Sequence, residues 1–127
     1  MLWQRVVTAI VLLLVLLPAM FYPSAQPLTA LAIVFIAAAA WEWARLVGYK
    51  GGVPWLCAVV CALACAGAWA AGILMQGLGS LWAVMGVFWL LGGAWLLHGG
   101  APMWLRLPQA FRLALGFLVL FAAWVAL

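Results

Sequence analysis

Apolar residues fall in five long runs along this chain: Val6 to Tyr22, Leu28 to Val47, Val53 to Met75, Leu78 to Leu97, and Phe111 to Leu127. Polar and turn-forming residues are largely confined to the gaps and to the run ends. A helix crosses the ~30 Å hydrocarbon layer with about 20 predominantly apolar residues, and each run meets or approaches that length. The first is slightly short, with Pro18 near its end. Lipid offers backbone N–H and C=O groups no partner, so a spanning segment must be helical. The pattern therefore predicts an all-α, polytopic membrane helix bundle of about five transmembrane helices within residues 1–127.

The gaps carry the expected turn chemistry. Pro23, Ser24 and Pro27 end the first run, and Gly48, Gly51, Gly52 and Pro54 separate the second from the third. Gly77 and Gly79 mark a tight hairpin around Gln76, while Gly99, Gly100, Pro102 and Pro108 predict the longest loop. Glycine supplies unusual dihedrals and proline removes a donor, so both collect where helices stop. Met1 to Gln26 also has the charged start, apolar stretch and small-residue region of a signal peptide. Its removal would leave Leu28 on the outer side and the remaining topology unchanged.

Charge then orients the bundle. Arg5 precedes the first run, Arg45 and Lys50 flank the second gap, and Arg106 and Arg112 flank the fourth. The first and third gaps hold no Lys or Arg. Basic residues in alternate loops are the positive-inside pattern, which places the amino terminus and every basic loop in the cytoplasm. The expected location is the bacterial inner membrane, multi-pass. Tryptophan placement gives the same geometry: Trp41, Trp43, Trp55, Trp95 and Trp104 fall near the expected inner ends, and Trp69, Trp82 and Trp124 toward the outer ends, as two aromatic belts. Trp89 falls mid-span and is expected to pack between helices.

Composition removes most function classes. Of 127 residues, 73% are hydrophobic and only 5% charged, against about a quarter charged in a soluble domain. The net charge of +4 thus reads as orientation and contact with anionic phospholipid, with the lipid bilayer as partner and no nucleic acid. Three cysteines, Cys57, Cys61 and Cys65, lie inside one apolar run, against a disulfide framework. They recur every fourth residue beside Ala58, Ala62, Ala66 and Ala70, a stripe suited to close helix approach. One straight helix cannot wrap three thiolates around an ion, since such sites draw ligands from several elements.

Glu42 is the sole acid. At ~1.5 Å rise per residue it lies about 9 Å from Gly48, near the inner interface rather than the midplane. Arg45 is three residues on and shares its helix face, so the first expectation is an interfacial ion pair with Arg45 snorkelling toward headgroups. A functional intramembrane carboxylate is the alternative. His98 stands alone in a Gly-rich segment and is expected to be solvated, and Gly77/Gly79 and Gly99–Gly100 lack the context of phosphate loops. With one carboxylate there is no general acid/base pair, no acidic cluster for Mg²⁺ and no oriented nucleophile. The chain itself is expected to supply no catalytic, cofactor or metal-binding residue.

Two segments carry a family resemblance. Met1-Leu2-Trp3-Gln4-Arg5-Val6-Val7-Thr8-Ala9 resembles the Met-Leu-x-x-Arg-hydrophobic-x-Thr-Ala opening of bacterial phosphatidate cytidylyltransferases, the CDP-diacylglycerol synthases. Ala40-Trp41-Glu42-Trp43-Ala44-Arg45-Leu46 is similar to the Glu-Trp-x-x-Leu region of the same family. Arg5, Thr8, Glu42 and Trp43 are the positions carried over, with Arg45 and Lys50 as neighbouring interfacial candidates. The resemblance extends over the chain but only over the amino-terminal half of the family. It implies a role in phospholipid biosynthesis, joining CTP to phosphatidate with Mg²⁺ in the full enzyme. The family's catalytic signature, a Ser-x-x-Lys-Arg-type stretch with following Lys, Asp and His-Gly-Gly residues and an Asp-containing segment near a Gly-Lys-rich loop, does not occur here. A triphosphate and its metals need acidic ligands and cations, so the chain is expected to be inactive alone. It reads as a truncated or split enzyme whose partner is a catalytic half or a second copy. Five spans starting inside finish outside, away from cytoplasmic CTP. The alternatives are a small proton-coupled multidrug-type transporter using Glu42, or a non-catalytic accessory membrane subunit.

Overall fold

The computed structural model describes residues 2–73, 77 and 79–126, and is all-α, with no strand among those residues. The expected boundary residues Met75, Gln76, Leu78 and Leu127 lie outside the described residues. Five long helices follow one another: α1 (Leu2–Phe21), α2 (Gln26–Val47), α3 (Val53–Ala70), α4 (Gly79–Arg106) and α5 (Gln109–Ala126). All five contain a stretch long and apolar enough to cross a membrane, and the chain is a membrane protein of the helix-bundle class.

Local chemistry sets the ends. Gly48 adopts a left-handed conformation, φ 106°, that a side chain would resist. There the Tyr49 N–H donates to the Ala44 carbonyl and the Gly48 N–H to the Arg45 carbonyl, both at 3.0 Å. This is the Schellman pairing that satisfies the last orphan carbonyls of a helix. Pro27 and Pro54 stand in the first turns of α2 and α3, where the missing N–H costs nothing. Pro18 is accommodated inside α1, which continues to Phe21.

The fourth gap departs from expectation. Gly99, Gly100 and Pro102 do not form a long loop. The chain turns at Gly100 (φ 66°, ψ −176°) and re-enters helix through Arg106, so only Leu107 and Pro108 separate it from α5. The reason is chemical: only glycine adopts that backbone readily, and a proline just beyond it has the fixed φ of a helix start.

α2 is the centre of the bundle, packed against α3, α5 and α1. Its buried positions Ala32, Ile36, Ala40, Ala44 and Val47 recur at nearly four-residue spacing. Ala32, Ile36 and Ala40 share one buried cluster with Cys61, Cys65 and Ala68 of α3, whose buried stripe also includes Cys57 and Ala58. Ala40 is 1% exposed and Cys65 0%. Between membrane helices the gain comes from van der Waals contact, because lipid tails are as apolar as the core, so small residues that let backbones approach dominate the interface. The expected cysteine stripe is thus the α2–α3 seam, although Ala62 and Ala66 are only half-buried and Ala70 is exposed. Among the described residues no group of three or more His, Cys, Asp or Glu is placed to hold a metal.

Trp124 corrects the outer aromatic belt. It is 2% exposed, inside the core with Ala32, Ile36, Cys61 and Cys65 and beside Phe121 at 6.0 Å between ring centroids. Trp89, expected between helices, is 58% exposed and only lines the side of a cleft. Among the described residues, α1 and α4 contribute none that is fully buried. Large apolar side chains cover both, a surface no water-soluble monomer of this size sustains.

Candidate functional site at the basic end of the bundle

The contacts of α2 with α5, and of Trp43 with Trp104 on α4, bring the segments that carry Arg45, Lys50, Arg106 and Arg112 to one end. Two long-range hydrogen bonds fix that end. The Trp43 indole N–H on α2 donates to the Arg112 carbonyl on α5 at 3.0 Å. The Gln109 side-chain amide donates to the Val47 carbonyl at 3.3 Å, supplying a partner to one of the carbonyls left open at the end of α2. A carbonyl has two lone pairs, so Arg112 can accept from Trp43 while serving the ladder of α5.

Trp43 is the hub. Its ring lies directly on Gly116 of α5, where a Cβ would fall inside the indole. On another side it meets Trp104 edge-on, with centroids 6.1 Å apart and planes at 65°, the geometry the ring quadrupoles favour. One side chain thereby joins α2, α5 and the last turns of α4. Among the described residues the buried Nε of Arg112 has no hydrogen-bond partner, while a charged donor of this kind normally finds one.

The Glu42–Arg45 ion pair is not formed. Glu42 is exposed, and the Arg45 guanidinium instead lies over the Trp41 ring, 4.6 Å from its centroid. A cation over an indole face is attracted by the ring quadrupole. Trp41, four residues earlier, occupies the neighbouring position on the helix surface, and it also contacts Trp55 of α3 at 5.7 Å. With no partner to lose among the described residues, the Glu42→Gln variant is expected to keep the parent's thermal unfolding midpoint in detergent. A clear drop would show that the carboxylate is engaged after all.

The remaining candidates stand apart from this hub. Arg5 and Thr8 lie on the exposed first turns of α1, with the Thr8 hydroxyl donating to the Gln4 carbonyl at 2.8 Å. Lys50 is exposed in the α2–α3 connection and His98 is exposed on α4. Of the positions carried over from the resemblance, only Trp43 makes a long-range hydrogen bond among the described residues. Gly116, Gln109, Trp104 and the carbonyl of Arg112 were not singled out by sequence as members of a site. One signal was available: Gly116 is an isolated glycine within a helical run, which usually marks close packing. As chemistry, the basic end is a cationic, tryptophan-lined surface with a single carboxylate. It can attract an anionic headgroup, and its described residues do not assemble an acid/base or metal centre. Comparison of the chain with protein-family models, curated proteins and solved structures finds no match.

Proposed function

We propose that this chain is the membrane portion of a phosphatidate cytidylyltransferase, acting as scaffold and lipid-facing wall for a catalytic half that binds CTP and Mg²⁺. In this reading the basic end faces the cytoplasm, where CTP is found, across the bacterial inner membrane. The observation that supports it is the position of Trp43. The Glu42-Trp43-x-x-Leu46 segment sits at the basic end, and its tryptophan is the residue that ties α2 to α5. The motif therefore organises the face on which a headgroup and a nucleotide would meet. Glu42, exposed rather than enclosed in the bundle, lends nothing to the transporter alternative.

The test is split-enzyme complementation. Co-expressed with the carboxy-terminal half of a phosphatidate cytidylyltransferase, the chain is expected to restore conversion of labelled CTP to CDP-diacylglycerol in liposomes containing phosphatidate. Alone, it is expected to give none. Turnover by the chain alone, or failure to restore turnover although both halves insert and copurify, would overturn the proposal.

A further inference from the structure

α4 stands off from the three-helix core, and the space between α4 and α5 is an apolar cleft. Gly92, Gly93 and Leu96 of α4 and Phe111, Leu115 and Val119 of α5 are among its lining residues, and no charged side chain among the described residues lines it. The glycine pair widens it: a Cβ at either Gly92 or Gly93 would meet nothing within 4 Å. Along α5 the lining extends from just before the helix, at Leu107, to Val119. That is about 18 Å at the α-helical rise, close to the ~15 Å depth of one leaflet's hydrocarbon.

One end of the cleft is cationic. Leu107 and Phe111, which line that end, are chain neighbours of Arg106 and Arg112. Arg106 is exposed, and the Arg112 Nε is buried without a hydrogen-bond partner among the described residues. The chain's one acid, Glu42, is on α2, which does not line the cleft. An apolar slot of single-leaflet depth, with an arginine next in the chain to each of two residues that line its headgroup end, matches one kind of occupant. We infer that the α4–α5 cleft holds an acyl tail of an anionic glycerophospholipid, whose phosphate meets Arg106 and Arg112. The lipid then fills space that the helices leave open. The inference rests on the lipid-facing role proposed above, but its test uses no nucleotide, so the two readings fail separately.

The experiment is photolabelling of the whole chain in phosphatidylcholine bilayers. They carry a trace of phosphatidylglycerol or of phosphatidylcholine with a diazirine in the tail, and labelled peptides are mapped by mass spectrometry. The anionic probe is expected to concentrate on α4 and α5 near Gly93 and Leu115, and the neutral probe to spread over all five helices. Gly93→Leu, which fills the slot, is expected to cut labelling there severalfold without changing helix content. Arg106→Gln, at an exposed position, is expected to reduce the preference for the anionic probe about fivefold, the effect of one arginine at the headgroup level. Even labelling of all helices by both probes, labelling untouched by Gly93→Leu, or cross-linking of the cleft to a second copy of the chain would each overturn the inference.

Discussion

Gly116→Ala is expected to destabilise this protein markedly, although alanine is the better helix former. In an unconstrained helix the exchange favours alanine by ~1 kcal/mol. Here the new methyl falls inside the Trp43 indole. The ring must move, breaking its hydrogen bond to the Arg112 carbonyl and its edge contact with Trp104. Overpacking of this kind costs typically about 1–3 kcal/mol, and the lost polar contact adds to it. The sign should reverse when the ring is gone. Trp43→Ala alone destabilises by roughly 3 kcal/mol, and in that background Gly116→Ala should stabilise. A double-mutant cycle of thermal unfolding in detergent checks this, because only residues in contact show such coupling. Equal effects of Gly116→Ala in both backgrounds would mean that the two residues do not meet.

Ala40→Leu is expected to be at least as damaging. Ala40 is 1% exposed on the α2 face of the α2–α3 seam, opposite the cysteine stripe. A leucine there must push the helices apart along a face whose gain comes from close backbone approach, and the loss is about 3 kcal/mol or more. The seam carries its own reporters. Cys57, Cys61 and Cys65 are free and buried, so a fluorogenic maleimide should react slowly with the folded parent and rapidly with Ala40→Leu at the same temperature. Leu63→Ala, at a 66% exposed position of α3, should leave the thiols protected. Protected thiols in Ala40→Leu would place the seam elsewhere.

How far the sequence is legible depends on which physical signal a residue carries. The helices are legible because lipid forces every apolar run into a helix, and Pro23, Gly48 and Gly52 punctuate them. The re-entry of helix after Gly100 is less so: Gly99-Gly100-x-Pro102 reads equally as a loop and as a turn followed by a helix start. The core is the least legible part. Trp124 in the centre and Leu63 on the outside are both apolar, and in lipid there is no polar face to tell one from the other. Only the small residues of the α2–α3 seam betray a packing face. At the basic end, the spacing of Glu42 and Arg45 permits an ion pair, yet Trp41 at the equally close fourth position wins the guanidinium. Trp43 was visible through its motif, but its partner was not. Gly116 lies more than seventy residues away, and nothing local in either segment joins them.

The central claim is that the tryptophan- and arginine-rich end, carrying the Glu42-Trp43 segment, faces the side of the membrane that holds CTP. Single-cysteine accessibility tests it most directly, with the three native thiols buried and silent in the folded bundle. In intact cells, a membrane-impermeant maleimide should label Ser24→Cys at once and Lys50→Cys only after permeabilisation. Labelling of Lys50→Cys from outside with Ser24→Cys protected would invert the bundle and contradict the account.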